Sequence, residues 1–159
     1  MIVQNEAKTV FGEPVYLNIY YLWRFGFGFY HSDIQVYGTK YHFSGVRRGI
    51  AAIRLRGKAT SAEPRNFKQS IFLGYTYKTL KEVKRLISDL RSSNFSPDKY
   101  NVITHNCNDF SDAFATLLIG HGIPEWVNRM AHLGKRIRLQ RWIPKSWLSP
   151  DITISLDKS

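Results

Sequence analysis

Apolar positions follow two different spacings along the chain, and the change falls near its middle. "VYLNIYYLW", Val15 to Trp23, is a short run rich in β-branched and aromatic residues and predicts a strand. "FGFGF" follows, with glycines that let the backbone bend or pass close to a neighbour. "YHSDIQVYGTKYHFSG" predicts a hairpin: "DIQVY" and "KYHF" flank Gly38-Thr39, a Gly-X pair suited to a type II′ turn. "IAAIRLR" and "SIFLGYT" predict further strands, separated by the polar loop "GKATSAEPRNF".

Helical spacing then takes over. In "TLKEVKRLISDLRSS", Leu80, Val83, Leu86, Ile87 and Leu90 form one apolar face, and Thr79 with Glu82 has capping-box spacing. "NFSPDKY" breaks that helix, and "YNVIT" predicts a short strand. In "DFSDAFATLLIG", Phe110, Ala113, Phe114, Leu117 and Leu118 recur at helical spacing before Gly120 ends the run. "IPEWVNRMAHLG" predicts a further short helix beginning near Pro124. A β-rich first half and a helical second half predict one α+β domain.

Composition narrows the class. At 159 residues, with 43% hydrophobic and 14% aromatic residues, the chain can bury a core. No apolar run reaches the roughly 18 residues of a membrane span, and "MIVQNEAKTVFGEP" lacks the pattern of a secretory signal. A single cysteine fits a reducing interior, so a cytoplasmic location, or a nuclear one, is expected. The net charge of +11 is uneven: between Asp33 and Glu82 the only acid is Glu63, and Arg129 to Lys145 holds six bases and no acid. Such a field attracts acidic proteins, nucleic acid or anionic lipid alike, or is a solvated surface. No zinc-finger spacing or RNA-binding signature points to nucleic acid, and none is expected as a partner.

The lone cysteine, Cys107 in "THNCNDF", sits at or just before the first turn of a predicted helix. Free N–H groups and the positive dipole end there stabilise a thiolate and can hold an oxyanion. The position suits a nucleophile; a buried, inert cysteine is the other reading. A nucleophile needs a base. His42 shares a strand with Tyr41 and Phe43, His105 lies at a strand end, His121 is in a "GHG" turn and His132 is late in a short helix. His31 opens a strand directly after the glycine-spaced "FGFGFY", where a side chain can reach a groove. A metal site from His105, Cys107 and Asp109 is a further possibility that lacks a fourth ligand.

Taken together, "GFYHSDIQVYGTKYHFSG", "NCNDFS" and "IPEWVNR" resemble the PPPDE family, the desumoylating-isopeptidase (DeSI) group of permuted papain-like cysteine peptidases. The three motifs stand in the family's order, and the likeness implies a peptidase domain over 14–150 with flanking tails 1–13 and 151–159. It implies a permuted papain-like fold, an antiparallel sheet or barrel packed with helices, with the nucleophile at a helix N-terminus. It implies Cys107 as nucleophile and His31 as general base and later acid, a dyad with no cofactor and no metal. The implied partners are ubiquitin or a SUMO-type modifier and the proteins conjugated to it. Asn106 and Asn108, which flank the nucleophile, read as capping residues, and Phe110 as packing beneath the helix. Asp109 stands where relatives often carry His, Gln35 where an acid is usual before "VYG", and Asp33 where glycine is common.

Two other functions fit the same residues. A Cys-His pair also cleaves thioesters, which makes a protein S-acyl thioesterase (a depalmitoylase) the alternative enzyme. A basic binding module without chemistry would use Trp142 and Trp147 as anchors on an acidic partner or a membrane surface.

Overall fold

The structure, a computed structural model, describes residues 11–22, 28–44, 49–54, 66–136 and 138. The predicted strands form one antiparallel sheet: β1 (Glu13–Tyr21), β2 (Tyr30–Val36), β3 (Thr39–Ser44), β4 (Gly49–Arg54) and β5 (Phe67–Thr76), in the spatial order β4-β3-β2-β1-β5. Three α-helices follow: α1 (Leu80–Ser92), α2 (Cys107–Ile119) and α3 (Arg129–Arg136). The result is an α+β domain. Among the described residues no helix is long and apolar enough to cross a membrane. Trp142, Trp147, Gly45 and most of the "GKATSAEPRNF" loop lie outside the described residues.

Strand alternation decides which face is buried against the helices. Val15, Leu17 and Ile19 of β1, Ile34 and Val36 of β2, and Tyr41 and Phe43 of β3 share a core with Phe110, Phe114 and Leu118 of α2. From α1 the same core takes Val83, Ile87 and Leu90. Tyr41 meets Phe114 edge-on at 5.5 Å, and Phe110 stacks on Phe114 at 5.5 Å. Each such side chain contributes roughly 1.5–3 kcal/mol through burial alone. Leu117, predicted on the apolar face of α2, is instead 42% exposed.

Opposite that core face the strands carry polar side chains. Asn18 Nδ2 and the Tyr20 hydroxyl both donate to the Asp33 carboxylate, at 2.7 and 2.8 Å, and Lys40 Nζ donates to the Tyr20 hydroxyl at 3.1 Å. Asp33 is therefore a buried acceptor with cross-strand donors.

Local signals behave as their chemistry requires. Thr79 and Glu82 close the predicted capping box of α1: Glu82 N–H donates to Thr79 Oγ1 at 3.3 Å, and Thr79 N–H to Glu82 Oε2 at 2.6 Å. Gly120, at φ 85°, ends α2 in the left-handed region. Two expectations change. The β2–β3 turn is centred on Tyr37-Gly38, one residue earlier than predicted, with φ of 50° and 62°. Positive φ at both positions is the type I′ pattern, whose twist matches the strands. Tyr37 tolerates it because its N–H donates to Glu13 Oε1 at 3.2 Å and its hydroxyl to Lys78 O at 2.8 Å. "YNVIT" is no strand: Asn101 and His105 form an isolated bridge around a turn, and Asn101 Oδ1 accepts from the N–H groups of Ile103 and Thr104. The asparagine carboxamide thus takes over backbone donors that a ladder would otherwise satisfy.

Candidate active site

Cys107 is the first residue of α2, and the sequence around it builds the cap. Asn106 Oδ1 accepts from the N–H groups of Asn108 (2.8 Å) and Asp109 (3.1 Å), while Asp109 Oδ2 accepts from Asn106 N–H at 2.8 Å. Asn106 and Asp109 form a capping box, which gives the acid at position 109 a structural role. With two N–H groups satisfied by the cap, the start of α2 is fixed and the thiol's position with it.

The β2–β3 ladder ends at Ile34↔Tyr41, while β3 runs on beside β4 to Ser44. Ser32 therefore has no β3 partner in that ladder, and its N–H faces the Cys107 sulfur, as do those of Asn108 and of Cys107 itself. The Ser32 side chain continues the junction: Oγ donates to Asn108 Oδ1 at 2.6 Å and lies 2.9 Å from Ser111 Oγ. Asn108 Nδ2 donates to Tyr30 O at 2.8 Å. Asn106 is thus the cap and Asn108 the tie between strand and helix, and Asn108 Oδ1 also accepts from the Cys107 thiol at 3.8 Å.

His31 precedes Ser32, so strand alternation sends its ring to the other face. There it packs against Tyr20 (5.7 Å) and, edge-on, His42 (5.5 Å). No hydrogen bond joins the His31 ring to the Cys107 sulfur. The Ser32 N–H, one residue after His31, is the nearest link between the two that the structure shows. Burial dominates both: it pushes the Cys107 thiol up to about 12, opposed by the Ser32 N–H, and pulls His31 down to about 3, helped by His42. The resting groups are a neutral thiol and a neutral imidazole.

The remaining histidines go elsewhere. His105 stacks on Phe95 at 4.7 Å, with Nε2 2.7 Å from Asn94 O, and His121 Nδ1 is bonded to Gly122 O. His132 Nε2 lies 3.3 Å from Asn128 Nδ2. The metal site considered from His105, Cys107 and Asp109 does not assemble: among the described residues no group of three His, Cys, Asp or Glu is placed to hold an ion, and His105 stacks on Phe95.

Cys107 borders a small cleft of about 20 Å³, walled by Phe29, Tyr30, Tyr100, Val127, Asn128 and Met130 among others. Gly28 admits α3 to this wall: it has φ 90°, and a Cβ there would lie 2.9 Å from Met130 Cγ. Asn128, which the residue-by-residue reading did not single out, is the hub behind the cleft. Its Oδ1 accepts from Asn106 Nδ2 (3.2 Å) and its Nδ2 donates to Asp109 Oδ1 (2.9 Å). Lys135 pairs with the same carboxylate at 3.5 Å. The signal was present in "IPEWVNR", but nothing in a motif says that its asparagine points at a helix cap.

An antiparallel sheet with a lone cysteine capped at the start of a packed helix, beside a histidine-bearing strand, defines a papain-like arrangement. Comparison with known proteins makes the class specific. The PPPDE peptidase domain matches residues 3–147, and the chain belongs to that family. It is 35% identical over 156 residues to a desumoylating isopeptidase 1 homolog of Caenorhabditis elegans, covering 91% of this chain and 45% of that protein. A DeSI-like protein of Arabidopsis thaliana is 32% identical over 76% of this chain and 56% of its own length. Desumoylating isopeptidase 1 of Xenopus laevis is 31% identical over 65% of this chain and 57% of its own. The chain spans about half the length of these curated relatives.

Proposed function

We propose that this chain is a cysteine isopeptidase that removes a ubiquitin-like modifier, of the SUMO or ubiquitin type, from protein lysines. Cys107 is the nucleophile and His31 its general base. The carrying observation is the sulfur's setting: at the head of α2, faced by three backbone N–H groups, and bordering a cleft. The names of the relatives supply the substrate class.

In the reaction the sulfur attacks the isopeptide carbonyl, forming a C–S bond as its proton passes to His31. His31 then returns that proton to the lysine nitrogen as the C–N bond breaks, and water hydrolyses the thioester to free enzyme and a modifier carboxylate. Because the resting thiol and imidazole are both neutral and no hydrogen bond joins them, the ring must move toward the sulfur for the proton to pass. Free-thiol chemistry of this kind belongs in a reducing compartment, the cytoplasm or nucleus.

SUMO and ubiquitin bearing a C-terminal electrophile test the reading. One of them should attach to Cys107 in the wild type, and neither to Cys107→Ala or His31→Ala. Labelling that survives Cys107→Ala would end the proposal. One observation favours a second reading. The cleft wall is largely apolar, with Phe29, Val127 and Met130 among its residues, a lining that suits an acyl chain. An acyl-thioester probe run in parallel separates the two.

A further inference from the structure

An attacking sulfur turns the substrate carbonyl oxygen into an oxyanion, and that charge needs donors already aimed at it. We propose that the Tyr100 hydroxyl is the side-chain donor of this oxyanion hole, paired with the backbone N–H of Cys107. The inference rests on the isopeptidase reading for the identity of the carbonyl, but its geometry stands on the cleft alone.

The Cys107 N–H is the first of α2, so it has no partner within the helix, and it makes no hydrogen bond elsewhere among the described residues. Amide groups in the cleft wall cannot supply the second donor. Asn106 Nδ2 is committed to Val102 O (3.1 Å) and Asn128 Oδ1 (3.2 Å). Asn108 Nδ2 is committed to Tyr30 O (2.8 Å) and Val127 O (3.4 Å), and Asn128 Nδ2 to Asp109 and His132. Two hydroxyls in the wall remain without a partner among the described residues, those of Tyr30 and Tyr100.

Their surroundings separate them. Tyr30 stands edge-on to Trp126 at 5.4 Å and faces Lys68 Nζ at 5.6 Å, so its outer end belongs to the β5 side. Tyr100 is held by Phe43, ring to ring at 5.2 Å, and its phenol lies where the negative charges of Cys107 and Asp109 are felt. Burial, with the Asp109 carboxylate and any thiolate formed at Cys107 adding to it, holds the phenol well above its ordinary range, so it stays a neutral donor at neutral pH. It is also preorganised. Tyr100 N–H donates to Pro97 O, and the next residue, Asn101, exchanges two 2.9 Å backbone bonds with His105 just before the nucleophile.

Tyr100→Phe removes only the hydroxyl, and because that group has no internal partner the variant keeps the packing on Phe43. On a modifier conjugate, kcat should fall at least tenfold with KM within twofold. A short peptide ending in Gly-glycinal adds the thiol across its C=O to give a tetrahedral hemithioacetal, and Tyr100→Phe should bind it at least tenfold more weakly. Alkylation of Cys107 by iodoacetamide builds no oxyanion and should proceed at the wild-type rate. Undiminished kcat with undiminished aldehyde binding overturns the assignment, as does a parallel loss in alkylation. Should the wild type cleave no modifier conjugate, the isopeptidase reading falls and the aldehyde series alone decides for Tyr100. A wild type that binds no aldehyde overturns Tyr100 as well.

Discussion

Ser32 Oγ donates to Asn108 Oδ1 at 2.6 Å, and this bond ties the strand that carries His31 to the helix that carries Cys107. Both residues are buried and adjoin the two chemical groups in sequence. Ser32→Ala removes the donor and leaves Asn108 Oδ1 in a dry junction. A cost of about 1–3 kcal/mol is expected in urea unfolding, with a clear loss of probe labelling at Cys107. Unchanged stability would mean that water replaces the hydroxyl there.

The thiol's pH response follows from its burial. With the pKa pushed up to about 12, thiolate rises about tenfold per pH unit across the neutral range. Iodoacetamide alkylation of the free protein should therefore climb steadily from pH 6 to pH 10. A plateau near pH 7 would show instead a thiolate already formed at rest.

His31 couples folding to acid. Its folded pKa of about 3 lies below the unfolded value near 6.5, so the unfolded chain binds the extra proton between those limits. Stability from this group is complete above pH 6.5 and is lost as the pH falls toward 3, at about 1.4 kcal/mol per pH unit. His42, also lowered by burial, acts in the same direction. Urea midpoints between pH 7 and 4 should fall less steeply in His31→Gln than in the wild type. Equal slopes would mean that the ring is solvated.

Asn128→Ala should strip the cap at Cys107 from behind, since Asn106 Nδ2 and Asp109 each lose a partner. Destabilisation of about 1–3 kcal/mol is expected, together with weaker labelling at Cys107. Thr79→Ala serves as the control: it opens a capping box on α1 and costs about 1 kcal/mol, without altering labelling.

Gly28→Ala tests the wall of the cleft. The substitution meets Met130 Cγ at 2.9 Å and imposes a side chain on a φ of 90°. A loss of roughly 1–3 kcal/mol is expected, with altered reactivity at Cys107 because the backbone at Gly28 or the Met130 side chain must move. Wild-type melting and labelling would show that the Met130 side chain gives way at no cost.

Much of this architecture was legible because its signals are local. Alternation in "VYLNIYY", the Thr79–Glu82 spacing and the apolar recurrence from Phe110 to Leu118 each depend on residues a few positions apart. The type I′ turn at Tyr37-Gly38 was less visible, because the bonds that hold Tyr37 at positive φ come from Glu13 and Lys78. "YNVIT" misled for a similar reason: its β-branched residues favour a strand, but the Asn101 side chain claims the backbone donors.

By itself the sequence determined the order of elements, the capped start of α2 and the identity of the one thiol, because propensity, periodicity and capping act within a few residues. Only the tertiary structure decided that Ser32 meets Asn108, that Asn128 backs the cap, and that Tyr100 lines the same cleft as Cys107. Those relations join positions that the chain keeps far apart, and they are set by burial, which obliges every polar group there to find a partner or face the cleft.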